Sequence, residues 1–137
     1  MDDKIQLEIV TPERRVLERP VDEVVLPTVD GYMGVLPGHA PLLALLDIGE
    51  VSYRVGSDRQ FLAVTGGFAE VLRGSVSVLA RTSERAEEID AERAARAKTE
   101  AEAKLTAGDL SESDFRHFEV RLKRALARIK VHGRTSS

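Results

Sequence analysis

The chain has 137 residues, of which 42% are hydrophobic and 31% are charged, and its formal net charge is -3. This composition is typical of a folded protein in water with room for one domain, or for a domain of about 80 residues with an appendage, and it argues against disorder. The chain has no cysteine, which excludes disulfides and thiolate chemistry, and no apolar run approaches the roughly 18 residues of a membrane-spanning helix.

Residues 5–82 contain short apolar runs bounded by Pro, Gly and Asp, a pattern that predicts strands joined by tight turns. In chain order the runs are 5–10, 15–18, 23–26, 50–55, 60–64, 68–72 and 75–79. Glycines lie between or beside them, where a positive φ or a bulge is tolerated. Many short strands of this kind favour a β-sandwich or a β-barrel.

After Thr82 the sequence has no proline and is dominated by Ala, Glu, Arg and Lys, which are helix formers. Ser83 is the predicted cap of a first helix, with Glu84, Glu87 and Glu88 in its opening turns. Gly108 interrupts the pattern, and Ser111-x-x-Asp114 resembles a capping box for a second helix.

The second predicted helix has one apolar face, and the first offers mostly small side chains. The face of the second comprises Phe115, Phe118, Leu122, Ala125, Leu126 and Ile129, and the seam of the first comprises Ala86, Ile89, Ala94, Ala97, Ala101 and Leu105. We expect an antiparallel hairpin. Because alanines bury little apolar area, its stability should be modest, and the hairpin could open.

Two segments carry a resemblance to a known family. Residues 34–43 read GVLPGHAPLL and residues 66–71 read GGFAEV, and Glu88-Ile89-Asp90 then opens the alanine-rich helical region. In this order and spacing they resemble the epsilon subunit family of bacterial F-type ATP synthases, along essentially the whole chain. The resemblance implies an α+β, mainly β, fold with a ten-stranded β-sandwich over residues 1–83 and a mobile regulatory helical hairpin over residues 84–137.

The resemblance also implies the partners and the location. In this family the sandwich binds the foot of the gamma subunit and touches the loops of the c-ring. The hairpin lies folded or extends toward the catalytic alpha and beta subunits, where it blocks ATP hydrolysis. The N-terminus lacks a secretory signal. We therefore expect a rotor subunit at the cytoplasmic face of the bacterial membrane, peripheral and associated with the membrane only through the complex.

Three residues of the first half resemble contact positions of the family. The loop of residues 29–34 resembles the loop that faces the rotor ring, which makes Tyr32 and Met33 candidates for contact with that ring; the alternative is an ordinary glycine turn. His39 lies in the signature segment. Its side chain contacts gamma or the ring, or it is a buried, hydrogen-bonded histidine that shapes the bend before Pro41.

The sequence IDAERA at residues 89–94 matches a motif with which some members bind ATP as a regulatory ligand. The resemblance implies a site formed by Glu84, Ile89, Asp90, Arg93, Arg124 and Arg128. Guanidinium groups can pair with phosphate oxygens, and a carboxylate can accept from the ribose or the adenine amino group. Alternatively, Asp90 and Arg93 form a plain surface ion pair. Glu100 stands where ATP-binding members carry an arginine, which could weaken affinity.

The second helix has a basic face that includes Arg121, Lys123 and Arg124. It could be a solvated face, a nucleic-acid patch, or a docking surface for acidic segments of the catalytic subunits, as the family implies. Nucleic acid is disfavoured because the first helix is rich in Glu and no aromatic side chain is interleaved for base stacking.

The sequence assembles no catalytic site. It has no GxSxG, HExxH or phosphate-cradling motif, and its three histidines lack the spacing of metal ligands. We therefore expect no catalytic residues, no metal and no required cofactor. The rival hypotheses are a free-standing ligand-binding sandwich, which would be indifferent to gamma, and a small ATP-hydrolysing enzyme, which would release phosphate by itself.

Overall fold

The structure is a computed structural model that describes residues 3–134. It divides into two compact units, Met1–Ser83 and Glu84–Ser137. The first unit is built from strands and the second mainly from two helices.

The described residues contain eight strands. They are β1 (Ile5–Val10), β2 (Arg15–Val21), β3 (Glu23–Thr28), β4 (Gly31–Val35), β5 (Leu42–Val55), β6 (Asp58–Val71), β7 (Ser75–Ala80) and β8 (Ser83–Arg85). The expectation of ten strands is wrong for this part of the chain. Strands β5 and β6 each continue for 14 residues past glycines that we expected to separate shorter strands, because their antiparallel ladder is maintained there.

Seven strands form one hydrogen-bonded path in the order β2-β1-β7-β6-β5-β3-β4. Strands β1 and β7 are parallel, whereas the other neighbours on this path are antiparallel. Strand β2 also contacts β5, four places away on the path, so the sheet folds over on itself into two layers. The core between the layers includes Ile5, Leu7, Leu26 and Val64, each at most 2% exposed.

Gly67 shapes the long strand β6. Its φ is +114°, and it follows Gly66, whose φ is +83°. A Cβ at Gly67 would lie 2.0 Å from the Leu79 carbonyl oxygen, so only glycine allows β6 to approach β7 this closely. This backbone geometry directly precedes Phe68.

The two helices are α1 (Ala91–Ala107) and α2 (Glu112–Gly133). The predicted start of the first helix at Ser83 is wrong: Ser83 lies in β8, Ala86–Glu88 form a short 3₁₀ turn, and Asp90 is the N-cap of α1. Asp90 is better placed than Ser83 to cap the helix, because Ile89, which precedes Asp90, is extended and buried and keeps the helix from starting earlier. The predicted break is present, since Gly108 ends α1 in the left-handed conformation and the Ser111 hydroxyl accepts from the Asp114 N–H.

Helices α1 and α2 contact each other along a seam of small residues, as the hairpin prediction required. Ala94 and Ala101 of α1 are buried, as are Ala125 and Ala127 of α2. The predicted apolar face of α2 is only partly covered, because Phe115 and Leu126 are each 43% exposed. No helix in residues 3–134 has the length and apolar character needed to cross a membrane.

Candidate functional site

An exposed apolar row crosses three strands of the first unit. In register, Leu45 of β5 lies opposite Phe68 of β6, and Phe68 lies opposite Leu79 of β7. Their side chains are 64%, 42% and 38% exposed. Directly opposed side chains on one face of a sheet lie about 5 Å apart, so the three form one continuous surface.

Alternation along β5 explains why this surface is outside. Leu43 and Leu45 point away from the core, whereas Ala44 and Leu46 between and beside them are buried. Val29 and Tyr32 extend the surface, since both are more than half exposed and the Val29 N–H donates to the Leu45 carbonyl at 3.0 Å. We call these residues the apolar patch: Val29, Tyr32, Leu43, Leu45, Phe68 and Leu79.

The predicted ring-facing loop is shorter than we expected. Only Val29 and Asp30 form the turn, whereas Tyr32 and Met33 lie in the edge strand β4. The Tyr32 hydroxyl accepts from the Glu50 N–H at 3.3 Å and lies where a Cβ at Gly49 would be 2.9 Å away. Met33 packs partly against the core, so Tyr32 presents more of its side chain for contact.

A groove of about 410 Å³ separates the β3–β4 turn from the start of β5. Its walls include Val29, Tyr32, Leu43 and Leu45, so it lies within the apolar patch. Large exposed apolar surfaces with such concavities are typical of docking sites for other proteins.

His39 lies in the loop that leads into β5. Its side chain is half-buried, and its Nδ1 donates to the Ala40 carbonyl at 2.8 Å, while its backbone N–H donates to the Leu36 carbonyl at 3.2 Å. Gly38 ties the same loop to Arg73 through a backbone hydrogen bond of 2.9 Å. These bonds correspond to the bend-shaping alternative, and they leave Nε2 for a contact with a partner.

The start of β3 carries ionic side chains, whereas the apolar patch lies next to its C-terminal end. Asp22 binds Lys4 and accepts from the Gly56 N–H, and Glu23 binds Arg59 and lies 3.7 Å from Arg54 Nε. The Lys4 ammonium, followed by the Gly56 N–H, lowers the pKa of Asp22 below its ordinary value. We call Lys4, Asp22, Glu23, Arg54 and Arg59 the ionic end.

The motif for ATP lies at the start of α1 in the second unit. The Asp90 carboxylate accepts from the Arg93 backbone N–H at 3.0 Å, so the two residues form a helix cap. The interaction between the two residues is therefore a side-chain to backbone hydrogen bond, and not the ion pair between side chains that the alternative predicted. The Arg93 guanidinium remains on an exposed residue, while Ile89 is buried.

Glu84 and Arg128, which we predicted for the same site, bind each other. Arg128 Nε lies 2.8 Å from Glu84 Oε1, and Nη2 donates to Oε2 at 2.9 Å. The two side chains are 25% and 29% exposed, respectively. This pairing leaves Nη1 of Arg128 for an additional anion.

The helix register brings the predicted arginines to one end of the hairpin. Arg121 of α2 lies 4.0 Å from Glu100 of α1. Arg93 lies seven residues before Glu100 in α1, and Arg128 lies seven residues after Arg121 in α2. Because the helices are antiparallel, Arg93 and Arg128 lie at about the same level along the hairpin axis. Arg124, one turn before Arg128, is exposed at this end as well. Arg93, Arg124 and Arg128 therefore lie toward the same end of the hairpin.

The three predicted docking residues of α2 have different surroundings. Arg121 is half-buried beside Glu100, whereas Lys123 and Arg124 are exposed. Over residues 3–134, no cluster of three potential His, Asp or Glu metal ligands is present.

Sequence reasoning missed the apolar patch apart from Tyr32. The alternation in Leu42-Leu43-Ala44-Leu45-Leu46 is hidden because both sets of residues are apolar. A weak signal existed, since the inward positions include the small Ala44 and Ala69 while the outward ones hold Leu45 and Phe68.

Comparisons with known proteins match the strand unit and the helical unit to two family models. Residues 4–86 match the model of the ATP synthase, Delta/Epsilon chain, beta-sandwich domain, and residues 87–133 match that of the long alpha-helix domain of the same chain. The ATP synthase epsilon chain of Syntrophobacter fumaroxidans is 46% identical over 135 residues, covering 98% of this chain and 100% of that protein. ATP synthase epsilon chain 2 of Syntrophotalea carbinolica is 45% identical over 134 residues, covering 98% and 97%.

Two solved structures are also similar. A chain of the mitochondrial ATP synthase of Euglena gracilis, in a structure of OSCP, F1 and the c-ring, is 29% identical with a TM-score of 0.81, covering 90% of this chain and 78% of that one. A chain of the central stalk and c-ring structure from Tetrahymena thermophila has a TM-score of 0.55 at 11% identity, covering 99% and 98%, and it supports the fold alone.

Proposed function

This chain belongs to the ATP synthase delta/epsilon chain family, and we propose that it is the epsilon subunit of the central stalk in a bacterial F-type ATP synthase. In this role it joins the gamma subunit and the c-ring loops to the catalytic alpha and beta subunits, at the cytoplasmic face of the membrane. It contributes no catalytic residue, and ATP chemistry takes place in its partners.

The apolar patch carries the docking part of this proposal. Leu45, 64% exposed, and Phe68, 42% exposed, would lose contact with water when covered by a partner. Full burial of such a side chain contributes about 1.5–3 kcal/mol, so covering the exposed part contributes about 1–2 kcal/mol for Leu45 and about 0.6–1.3 kcal/mol for Phe68. We assign the patch, Tyr32 included, to the gamma subunit, and Met33 and His39, which are not part of the patch, to contact with the gamma subunit or the c-ring.

Copurification tests this assignment. The full chain should copurify stoichiometrically with gamma and the catalytic subunits. The double variant Leu45→Ser, Phe68→Ser should lose most of this copurification. Leu126→Ser, at a 43% exposed leucine of α2, is the matched control and should copurify normally. A chain indifferent to gamma would favour the free-standing ligand-binding module, whereas a double variant that still copurifies would contradict the assignment of the patch to gamma.

The hairpin supplies the regulatory part. Its modest alanine seam supports two packings of similar free energy, one folded and one extended. In the extended packing, Arg121, Lys123 and Arg124 meet acidic segments of the catalytic subunits and block hydrolysis. Changing all three to Gln should raise ATP hydrolysis in the reconstituted complex, and an unchanged rate would remove this role.

ATP is the proposed regulatory ligand of the folded hairpin. Arg93, Arg124 and Arg128 face the phosphates, Asp90 and Glu84 accept from the nucleoside, and Ile89 provides apolar contact. The shared level of Arg93 and Arg128 supports this site. Calorimetry with millimolar ATP should give heat for the full chain and much less for Arg93→Gln; no heat for the wild type would exclude the ligand.

A further inference from the structure

Glu84 and Arg128 are 44 positions apart in sequence and form an ion pair, in which Nη2 donates to Oε2 at 2.9 Å and Nε lies 2.8 Å from Oε1 without donating a hydrogen bond. A guanidinium that meets both oxygens of a carboxylate is fixed in orientation as well as attracted. We propose that this pair is a latch that holds the end of α2 to the segment before α1 and sets how often the hairpin opens. The inference rests on the proposed mobility of the hairpin and adds the contact that controls it.

The latch has an apolar support. The 3₁₀ turn Ala86–Glu88 contacts α2, and Ala86, Ile89, Ala127 and Val131 are buried, the last completely. The paired side chains are about three quarters buried, so solvent and salt screen them less than a surface pair. Charge pairing and apolar contact therefore coincide at this end of the hairpin.

The middle of the hairpin and its turn end are held more weakly. The Glu100–Arg121 pair is 4.0 Å long, and its side chains are 56% and 38% exposed. Near the turn, Phe115 and Val120 remain partly exposed. Once the latch opens, α2 is retained mainly by small alanine contacts, and Gly108, already left-handed, provides the pivot.

Hydrogen exchange of the isolated full-length chain, without nucleotide, tests the latch. Glu84→Gln keeps the shape of the side chain but removes its charge, and it should accelerate exchange of the amides in residues 125–133 about tenfold. Glu87→Gln, three residues away on an exposed side chain, is the matched control and should exchange as the wild type does.

A charge swap separates pairing from loss of fold. Glu84→Arg combined with Arg128→Glu should return exchange to within about twofold of the wild type, because the pair is re-formed in reverse. Amides of β1 should be equally protected in every variant. Wild-type exchange in Glu84→Gln, equal acceleration in Glu87→Gln, or a swap as fast as Glu84→Gln would each overturn the latch.

A second readout separates the latch from the proposed function. ATP hydrolysis is measured with each variant in the reconstituted complex. Faster exchange with unchanged hydrolysis supports the latch and contradicts the inhibitory role of the hairpin. Unchanged exchange contradicts the latch, whatever the rate of hydrolysis.

Discussion

Replacing Gly67 with alanine tests the backbone geometry that carries Phe68 to the surface. Gly67 lies opposite Ala80 of β7, and its φ of +114° is one that L-residues rarely adopt. An added Cβ would lie 2.0 Å from the Leu79 carbonyl oxygen and 2.9 Å from the Ala80 Cα. Because both are backbone atoms, no side-chain rotation can relieve the overlap, and β6 must move away from β7.

Two contributions to the loss of stability add in Gly67→Ala. The strained φ costs about 1–3 kcal/mol, and overpacking costs about 1–3 kcal/mol more, so the free energy of unfolding should fall by about 2–6 kcal/mol. Gly74→Ala is the control, since no atom lies within 4 Å of its added Cβ and its φ is not positive. It should stay within about 0.5 kcal/mol of the wild type.

Equilibrium urea unfolding, followed by circular dichroism, measures both variants. The midpoint of Gly67→Ala should fall sharply, and that of Gly74→Ala should not. If Gly67→Ala unfolds within about 1 kcal/mol of the wild type at an unchanged slope, the close approach of β6 and β7 is wrong.

Three further predictions concern single residues. Asp22 has a lowered pKa because the Lys4 ammonium and the Gly56 N–H stabilise its carboxylate. Its contribution to stability should therefore be present above about pH 4 and fade as the pH falls, so the difference in melting temperature between Asp22→Asn and the wild type should shrink in acid. Asp90→Ala removes the cap on Arg93 and should cost α1 about 1 kcal/mol, measured as faster hydrogen exchange in its first turn. Ala101→Leu overfills the helix seam, where Ala101 is 1% exposed, and should destabilise the hairpin by about 1–3 kcal/mol in thermal unfolding.

The sequence predicted the change from sheet to hairpin well, because strand and helix segments differ in both period and composition. It misplaced the start of α1, since Ser83 and Asp90 are both good capping residues and the acidic residues between them suit a helix. Tertiary structure decides which of the two residues caps α1, because Ser83 belongs to a strand and Ile89 is buried in an extended conformation. The local sequence contains no information on those long-range contacts.

For the candidate site, motif reasoning identified Glu84 and Arg128 but not their mutual ion pair, because residues 44 positions apart have no local spacing rule. It identified Tyr32 but not Leu45 or Phe68. In a strand where both faces are apolar, alternation cannot tell which one meets solvent. Only the fold of the sheet assigns one face to the core.

Side-chain footprinting of the full chain, with and without gamma, tests the central claim most directly. Hydroxyl radicals should modify Leu45, Phe68 and Tyr32 in the free chain, where each is at least 42% exposed. Addition of gamma should protect these residues, while Arg54 and Arg59 of the ionic end remain accessible. Unchanged modification of the apolar patch, with protection at the ionic end instead, would contradict the proposed docking of this chain on the central stalk.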